Sequence, residues 1–183
     1  MKEKIKAKIM DEKKMKRTFS RMAMEILEKN RDTDNLVLIG IQKKGVVVAN
    51  RIKQIIREIE DIDLPSGSLD ITLFRDDLHK REQHPIEKKT EINFSVENKD
   101  IILIDDVIFT GRTIRAAMDS IFELGRPASI QLAVFIDRGH RELPINPNFK
   151  GKNLYTSRRE RVNVMLTELE GKDRVLIMEP TGF

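Results

Sequence analysis

The chain reads as an α/β fold with a central, mainly parallel sheet flanked by helices. Three observations predict it. Short aliphatic runs alternate with segments whose apolar residues recur at helical spacing. The runs, such as Leu36-Val-Leu-Ile-Gly-Ile41 and Ile101-Ile-Leu-Ile104, are apolar throughout, as in strands buried on both faces. The second run leads directly into Asp105-Asp106-Val-Ile-Phe-Thr110-Gly111-Arg112-Thr113 and then into a helical pattern.

The elements follow in order. Asp11 is placed to cap a first helix whose apolar face is Met15, Phe19, Met22, Ala23 and Ile26, ending near Asn30. Residues 36–41 form the first buried strand. A second helix runs from about Gly45 to Ile59, with Val48, Ile52, Ile55, Ile56 and Ile59 on one face. Leu64-Pro-Ser-Gly-Ser68 is a turn and Leu69–Phe74 a strand. Residues 75–91 are polar and long enough for a functional lid loop. The motif strand at 101–104 is followed by a helix with Ile114, Ala117, Met118, Ile121 and Phe122 inward, stopping at Leu124-Gly125. Residues 130–136 form another strand. The polar segment 137–161 breaks the alternation and is expected to form a small cap, a hood spanning about 137–166. Val162–Leu166 and Val175–Met178 are candidate last strands. Crossovers should be right-handed.

The length, 183 residues, suits one domain with a sizeable core. There is no apolar run long enough to cross a membrane. The start, Met1-Lys-Glu-Lys-Ile-Lys-Ala-Lys-Ile9, alternates charged with apolar residues and lacks the core of a signal peptide. Cysteine is absent, which excludes disulfides and cysteine-based metal sites. A cytoplasmic location is the default expectation. The net charge of +4, from 34 basic and 30 acidic side chains, permits anionic ligands without demanding nucleic acid.

The chemistry concentrates at residues 105–113. In a parallel sheet such a turn lies at the carboxyl end of a strand, where ligands bind. Free N–H groups and the helix dipole there favour a phosphate. Two carboxylates repel a phosphate and suit vicinal hydroxyls or a ligand-bound cation. One loop thus offers sites for both halves of a sugar phosphate. The bland alternative is an ordinary turn with solvated or helix-capping aspartates.

This stretch resembles the phosphoribosyl diphosphate (PRPP) motif of type I phosphoribosyltransferases: a hydrophobic run, two acidic residues, two hydrophobic residues and a small Thr/Gly loop. Asp70–Leu78, Arg115–Asp119, Leu124–Ala133, Asp137–Pro144 and Gly151–Asn153 look like one branch, the bifunctional pyrimidine operon regulatory protein/uracil phosphoribosyltransferase. The likeness runs from about Asp11 to Glu179. It implies the type I fold, transfer of the phosphoribosyl group from PRPP to uracil to give UMP and pyrophosphate with Mg2+, and UMP-dependent binding of pyrimidine-operon mRNA that attenuates transcription. It also implies a homodimer or a larger homo-oligomer.

The resemblance distributes roles. Asp105, Asp106 and Arg75 are the catalytic candidates. Lys43, Lys44, Gly45, Val107, Ile108, Phe109, Thr110, Gly111, Arg112 and Thr113 would bind PRPP or UMP. Lys44 stands where the family commonly has Arg, which binds oxyanions as a fork rather than a point charge. Read without the family, Lys43 and Lys44 are ordinary surface lysines. Asp137, Arg138 and Val162 would form the uracil side. Phe109 replaces the acidic residue of some purine enzymes, so the loop offers no general base. His140 reads as structural, and His79 and His84 as exposed loop residues. Magnesium would be held mainly through PRPP. Lys80 and Arg81 are open between a lid and a solvated loop. Arg17, Arg21, Lys29, Arg141 and Lys152 are the RNA-binding candidates. Met24 and Asn146 depart from the RNA-binding pattern, where the family has His and Arg. A non-catalytic nucleotide sensor on the same fold is the second reading.

Overall fold

The computed structural model describes residues 3–71 and 90–181. The elements are β1 (Glu3–Met10), α1 (Glu12–Lys29), β2 (Leu36–Ile41), α2 (Lys44–Glu60), β3 (Ser66–Leu69), β4 (Asp100–Ile108), α3 (Arg112–Leu124), β5 (Ser129–Asp137), β6 (Phe149–Asn153), β7 (Arg161–Met165), α4 (Thr167–Glu170) and β8 (Arg174–Pro180). Five strands form a parallel sheet in the order β3-β2-β4-β5-β6. The other three form a separate antiparallel sheet, β1-β8-β7.

The aliphatic runs are buried because both faces of the parallel sheet are covered. Leu36, Leu38, Ile102, Ile104, Ala133 and Phe135 pack with α1 and α2. Val37, Ile39, Ile101, Leu103, Leu132 and Val134 pack with Ile114, Ala117 and Ile121 of α3. Each such side chain contributes about 1.5–3 kcal/mol when fully buried. The second sheet joins the α1–α2 side through Val162, Val164, Leu166 and Val175. Asp11 caps α1, accepting from the Lys14 N–H at 2.9 Å. Among the described residues no helix is long and apolar enough to cross a membrane.

Several elements differ from the sequence expectation. Phe149–Asn153, expected within the cap, pairs in parallel with β5 and forms one edge of the main sheet. Its charged sequence suits an edge strand, which has one neighbour and one exposed side. The second sheet instead draws on Glu3–Met10, whose charge alternation is that of a strand with one face exposed. The turn read at 64–68 overlaps β3 at Ser66–Ser68. Its small residues are required there: a Cβ on Gly67 would meet the Ile92 side chain at 2.9 Å and the Glu91 carbonyl at 3.0 Å. Of the strand expected at 69–74, only Leu69 lies in β3, and residues 72–74 are outside the described residues. The motif strand continues to Ile108, through both aspartates. Phe122 is 58% exposed, because it stands about 80° around α3 from Ile114, at the margin of the apolar stripe.

Candidate active site

The topology fixes the place. From β2 the chain turns through α2 to β3 on one side, and from β4 it turns through α3 to β5 on the other. Open α/β sheets take ligands in the crevice between the carboxyl ends of two such neighbouring strands. Two loops rim this crevice, Gln42–Lys43 after β2 and Phe109–Gly111 after β4.

Gly45 brings the first loop close. A Cβ there would lie 2.5 Å from the Ile104 carbonyl oxygen and 3.1 Å from Asp105 Cα, so only glycine lets α2 start against β4 at this point. The Gln42–Lys43 peptide bond is cis. Lys43 is exposed at the N-cap of α2 and makes no side-chain cap bond. Lys44 reaches across the crevice rim to the second sheet. Its Nζ donates to Asn163 Oδ1 at 3.0 Å and to the Val164 carbonyl, and it pairs with Glu170 at 3.0 Å.

Asp105 and Asp106 are consecutive strand residues, so their Cβ atoms leave opposite faces of β4. Asp105 is buried, and its Oδ1 curls back to accept the Asp106 N–H at 2.9 Å. Burial pushes the Asp106 carboxyl above its ordinary range, against the nearby Lys44 charge and a hydrogen bond with Asp105.

Beyond them, Val107 packs against the core and Ile108 is buried. Gly111, at φ +94°, turns the chain into α3 in a left-handed conformation that glycine adopts without cost. The N-cap Gly111 has no side chain to cap α3 and its first turn carries no acidic residue; the Arg112 N–H meets the Thr110 hydroxyl at 3.4 Å. The loop's carbonyls are held from behind. Arg141 Nη1 donates to the Phe109 carbonyl at 2.9 Å, and the Glu142 and Leu143 N–H groups donate to the Thr110 carbonyl at 2.9 and 3.3 Å. Arg112 Nε donates to Glu142 at 2.9 Å, so this guanidinium leans toward the backing segment. Thr113 is half-buried in the first turn of α3.

On the far side, Asp137 ends β5 opposite Ile108. Burial alone would raise its carboxyl; the Arg141 hydrogen bond and the Gly139 N–H outweigh this and hold it below the ordinary value. Arg141 lies 2.7 Å from it and also donates to the Ile145 carbonyl. Four acceptors engage Arg141 near the β4 loop: Asp137 and the Phe109, Gly139 and Ile145 carbonyls. Arg138 follows directly after β5. Its guanidinium is buried, donates to Thr156 Oγ1 and to the Ser157 and Glu160 carbonyls, and stacks 4.0 Å over the Phe109 ring. The Ser157 and Glu160 carbonyls of this turn thus find their donor in a buried side chain. His140 Nε2 is bonded to the Thr156 carbonyl. Val162 is buried in β7, paired with Ile177 and next to Asn163, the Lys44 partner. Arg75, Lys80, Arg81, His79 and His84 lie outside the described residues.

Three of the remaining basic candidates lie on α1, which packs beside the edge strand β6. Arg17, Arg21 and Lys29 are exposed on α1. Arg21 also donates to the Lys150 and Gly151 carbonyls at 3.0 and 2.6 Å, and Lys29 lies 5.4 Å from the Phe149 ring centre. Lys152 is in β6. Lys13, Lys16, Arg17, Ser20, Arg21 and Met24 line a shallow depression along this face. Sequence reasoning did not single out Glu142, Asn163 or Glu170. Each meets its partner from 30 to 126 residues away, and no local pattern signals such a pairing.

Comparison with known proteins gives a consistent result. The family described as Phosphoribosyl transferase domain matches residues 7–157. A protein of Thermoanaerobacter sp. (strain X514) named Bifunctional protein PyrR is 55% identical over 176 residues, which cover 96% of this chain and 99% of that one. One of the same name from Clostridioides difficile (strain 630) is 51% identical over 174 residues, covering 95% and 98%. A solved hypoxanthine phosphoribosyltransferase of Trypanosoma cruzi superposes with a TM-score of 0.73 at 14% identity, over 97% of this chain and 98% of that one. One from Staphylococcus aureus gives 0.71 at 18% identity, over 96% and 94%. The two structures share the fold alone.

Proposed function

The chain belongs to the phosphoribosyl transferase domain family and, within it, to the bifunctional PyrR proteins, and from that premise we propose that it transfers the phosphoribosyl group of PRPP to uracil and binds pyrimidine-operon mRNA in response to UMP. One observation carries the enzymatic half. An acidic pair, Asp105 and Asp106, stands between two loops suited to anions, at the switch point of a parallel sheet.

PRPP has three parts, and the crevice has a counterpart for each. The 5-phosphate belongs on Thr110–Thr113 and the N–H groups opening α3, since the loop carbonyls are already turned toward residues 141–143. The ribose hydroxyls and the positive charge that develops as the glycosidic bond breaks belong beside Asp105 and Asp106. The diphosphate belongs at Lys43–Gly45. Magnesium is bound by one or two carboxylates together with substrate phosphates. Here it would be held mainly through the PRPP oxygens, beside the acidic pair, and would neutralise charge on the leaving diphosphate. Uracil then lies toward Asp137–Gly139 and β7.

The regulatory half rests on Arg17, Arg21 and Lys29 of α1, together with Lys152 of β6 and Arg141 beside the β4 loop. RNA affinity there should fall steeply with salt. The test of the enzymatic half is incubation of the full chain with radiolabelled uracil, PRPP and Mg2+, with hypoxanthine and orotate as controls. Labelled UMP from uracil alone is expected. PRPP binding without turnover of any base would instead favour a nucleotide sensor.

A further inference from the structure

Lys44 is the first residue of α2, a helix with no acidic residue in its first turn. A cation is disfavoured there, because the helix N-terminus already carries partial positive charge. The structure shows what compensates it. An ammonium has three N–H donors, and Asn163, the Val164 carbonyl and Glu170 together match that number. Two of these acceptors are neutral. Glu170 is the anion that pairs with it directly, and the Asp106 carboxylate lies near enough to feel its charge.

Glu170 is itself held in place. Its other oxygen accepts the Leu166 N–H at 2.9 Å. The α4 turn is fastened to α2 again by Arg51, which pairs with Glu168 at 2.5 Å and with Asp173 at 2.6 Å. The Glu170 carboxylate thus holds the ammonium that an anionic ligand of the β2 loop would engage.

We propose that Glu170 is a positioning residue that competes with the diphosphate for Lys44, and so sets the affinity of the β2 loop for PRPP and for pyrophosphate. The proposal rests on reading that loop as the diphosphate subsite. A saturated ammonium must release a partner before it can bind a phosphate oxygen. Exchanging Glu170 for a phosphate oxygen leaves the number of anions near Lys44 unchanged, whereas releasing Asn163 or Val164 would add one to Glu170 and Asp106. The Glu170 side chain is 28% exposed, so water can solvate the released carboxylate. The exchange works in reverse when pyrophosphate leaves, with Glu170 recapturing the lysine.

The test is calorimetric titration of the full chain with magnesium pyrophosphate, for wild type, Glu170→Gln and Asn163→Asp, alongside PRPP kinetics. Glu170→Gln keeps an acceptor for the Leu166 N–H and removes the competing charge. Its pyrophosphate affinity should rise about fivefold, the scale of a half-exposed ion pair. The KM for PRPP should fall while kcat stays level or drops. Asn163→Asp adds a second anion beside Lys44 and should weaken pyrophosphate binding by a similar factor. In a Lys44→Met background the Glu170→Gln effect should vanish. A merely structural role would lower the Tm and raise KM. Unchanged or weaker binding by Glu170→Gln, or an effect that persists without Lys44, overturns the proposal. Absence of pyrophosphate binding by wild type and all variants overturns the subsite reading beneath it.

Discussion

The loops after β2 and β4 rim the same crevice and both open helices, yet they are built on opposite plans. The β4 loop is uncharged at Phe109, Thr110 and Gly111, and its carbonyls are tied back by neighbours at 141–143. What remains for a ligand is backbone donors. The β2 loop brings two lysines, one of them cross-tied to a separate sheet by Asn163, Val164 and Glu170. The first is a rigid cradle complete within about forty residues of chain. The second is a movable charge whose setting is decided more than a hundred residues away. A phosphate that stays on the ribose suits a fixed cradle; a diphosphate that must arrive and leave suits a charge with an exchangeable partner.

The sharpest way to break this comparison is to remove what lies between the loops. Asp105→Asn with Asp106→Asn should lower turnover at least about a hundredfold while the protein stays folded. Asp106→Asn alone has a second expected effect. Burial raises the Asp106 carboxyl above its unfolded value of about 3.9. The sign follows: stability is fully present below the unfolded value and is lost as pH rises through the folded one. At pH 7 the ionised group therefore costs stability, so the Asn variant should melt higher than wild type, with a flatter dependence above pH 4. A lower Tm at pH 7 would refute the assignment of strain to this carboxylate.

The two glycines compare the loops directly. Gly45→Ala would press a Cβ against the Ile104 carbonyl at 2.5 Å, and backbone must move; the expected loss is about 1–3 kcal/mol, measured by urea denaturation. Gly111→Ala has room, with its nearest neighbours at 3.5 Å, and pays only for a positive φ, about 1–2 kcal/mol. Gly45→Ala should also cost more activity, because it displaces α2 from Asp105. The reverse order would mean that the β2 loop yields more readily than its close approach implies.

These plans were unequally legible in the sequence. The β4 loop was readable because its chemistry is contiguous: an apolar strand, two acids and Thr-Gly-Arg-Thr in thirteen residues. The apolar face of α1 was readable from spacing alone. Lys44 could be named as a site residue, but its partners could not, because contacts with residues 163–170 depend on how a second sheet folds over α2. The same limit applied to Arg138. Its position after a strand pointed toward ligand, whereas its stack on Phe109 and its bonds to the 156–160 turn depend on tertiary packing. β6 was hidden for another reason. An edge strand needs only one apolar anchor, here Phe149, and Lys-Gly-Lys-Asn after it carries the composition of a loop.

The smallest expected effect concerns the second fastening of the β2 loop's helix. Arg51 pairs with Asp173 and Glu168, whose side chains are 11% and 47% exposed. The hydrogen bond from Arg51 holds the Glu168 carboxyl below its ordinary value. Asp173 is also held low, because Arg51 and the Thr167 donors outweigh its burial. For depressed carboxylates the stabilisation is present above the unfolded values, near 4, and is lost as pH falls through the folded ones. Arg51→Met should therefore cost about 1–2 kcal/mol at pH 7, mostly through Asp173 because solvent screens the more exposed Glu168, and much less in acid, where wild type has already lost the same interaction. Urea denaturation at both pH values measures the difference. An equal cost at both would mean that Arg51 acts through its contact with the Phe19 ring, 5.2 Å from the guanidinium, and not through charge.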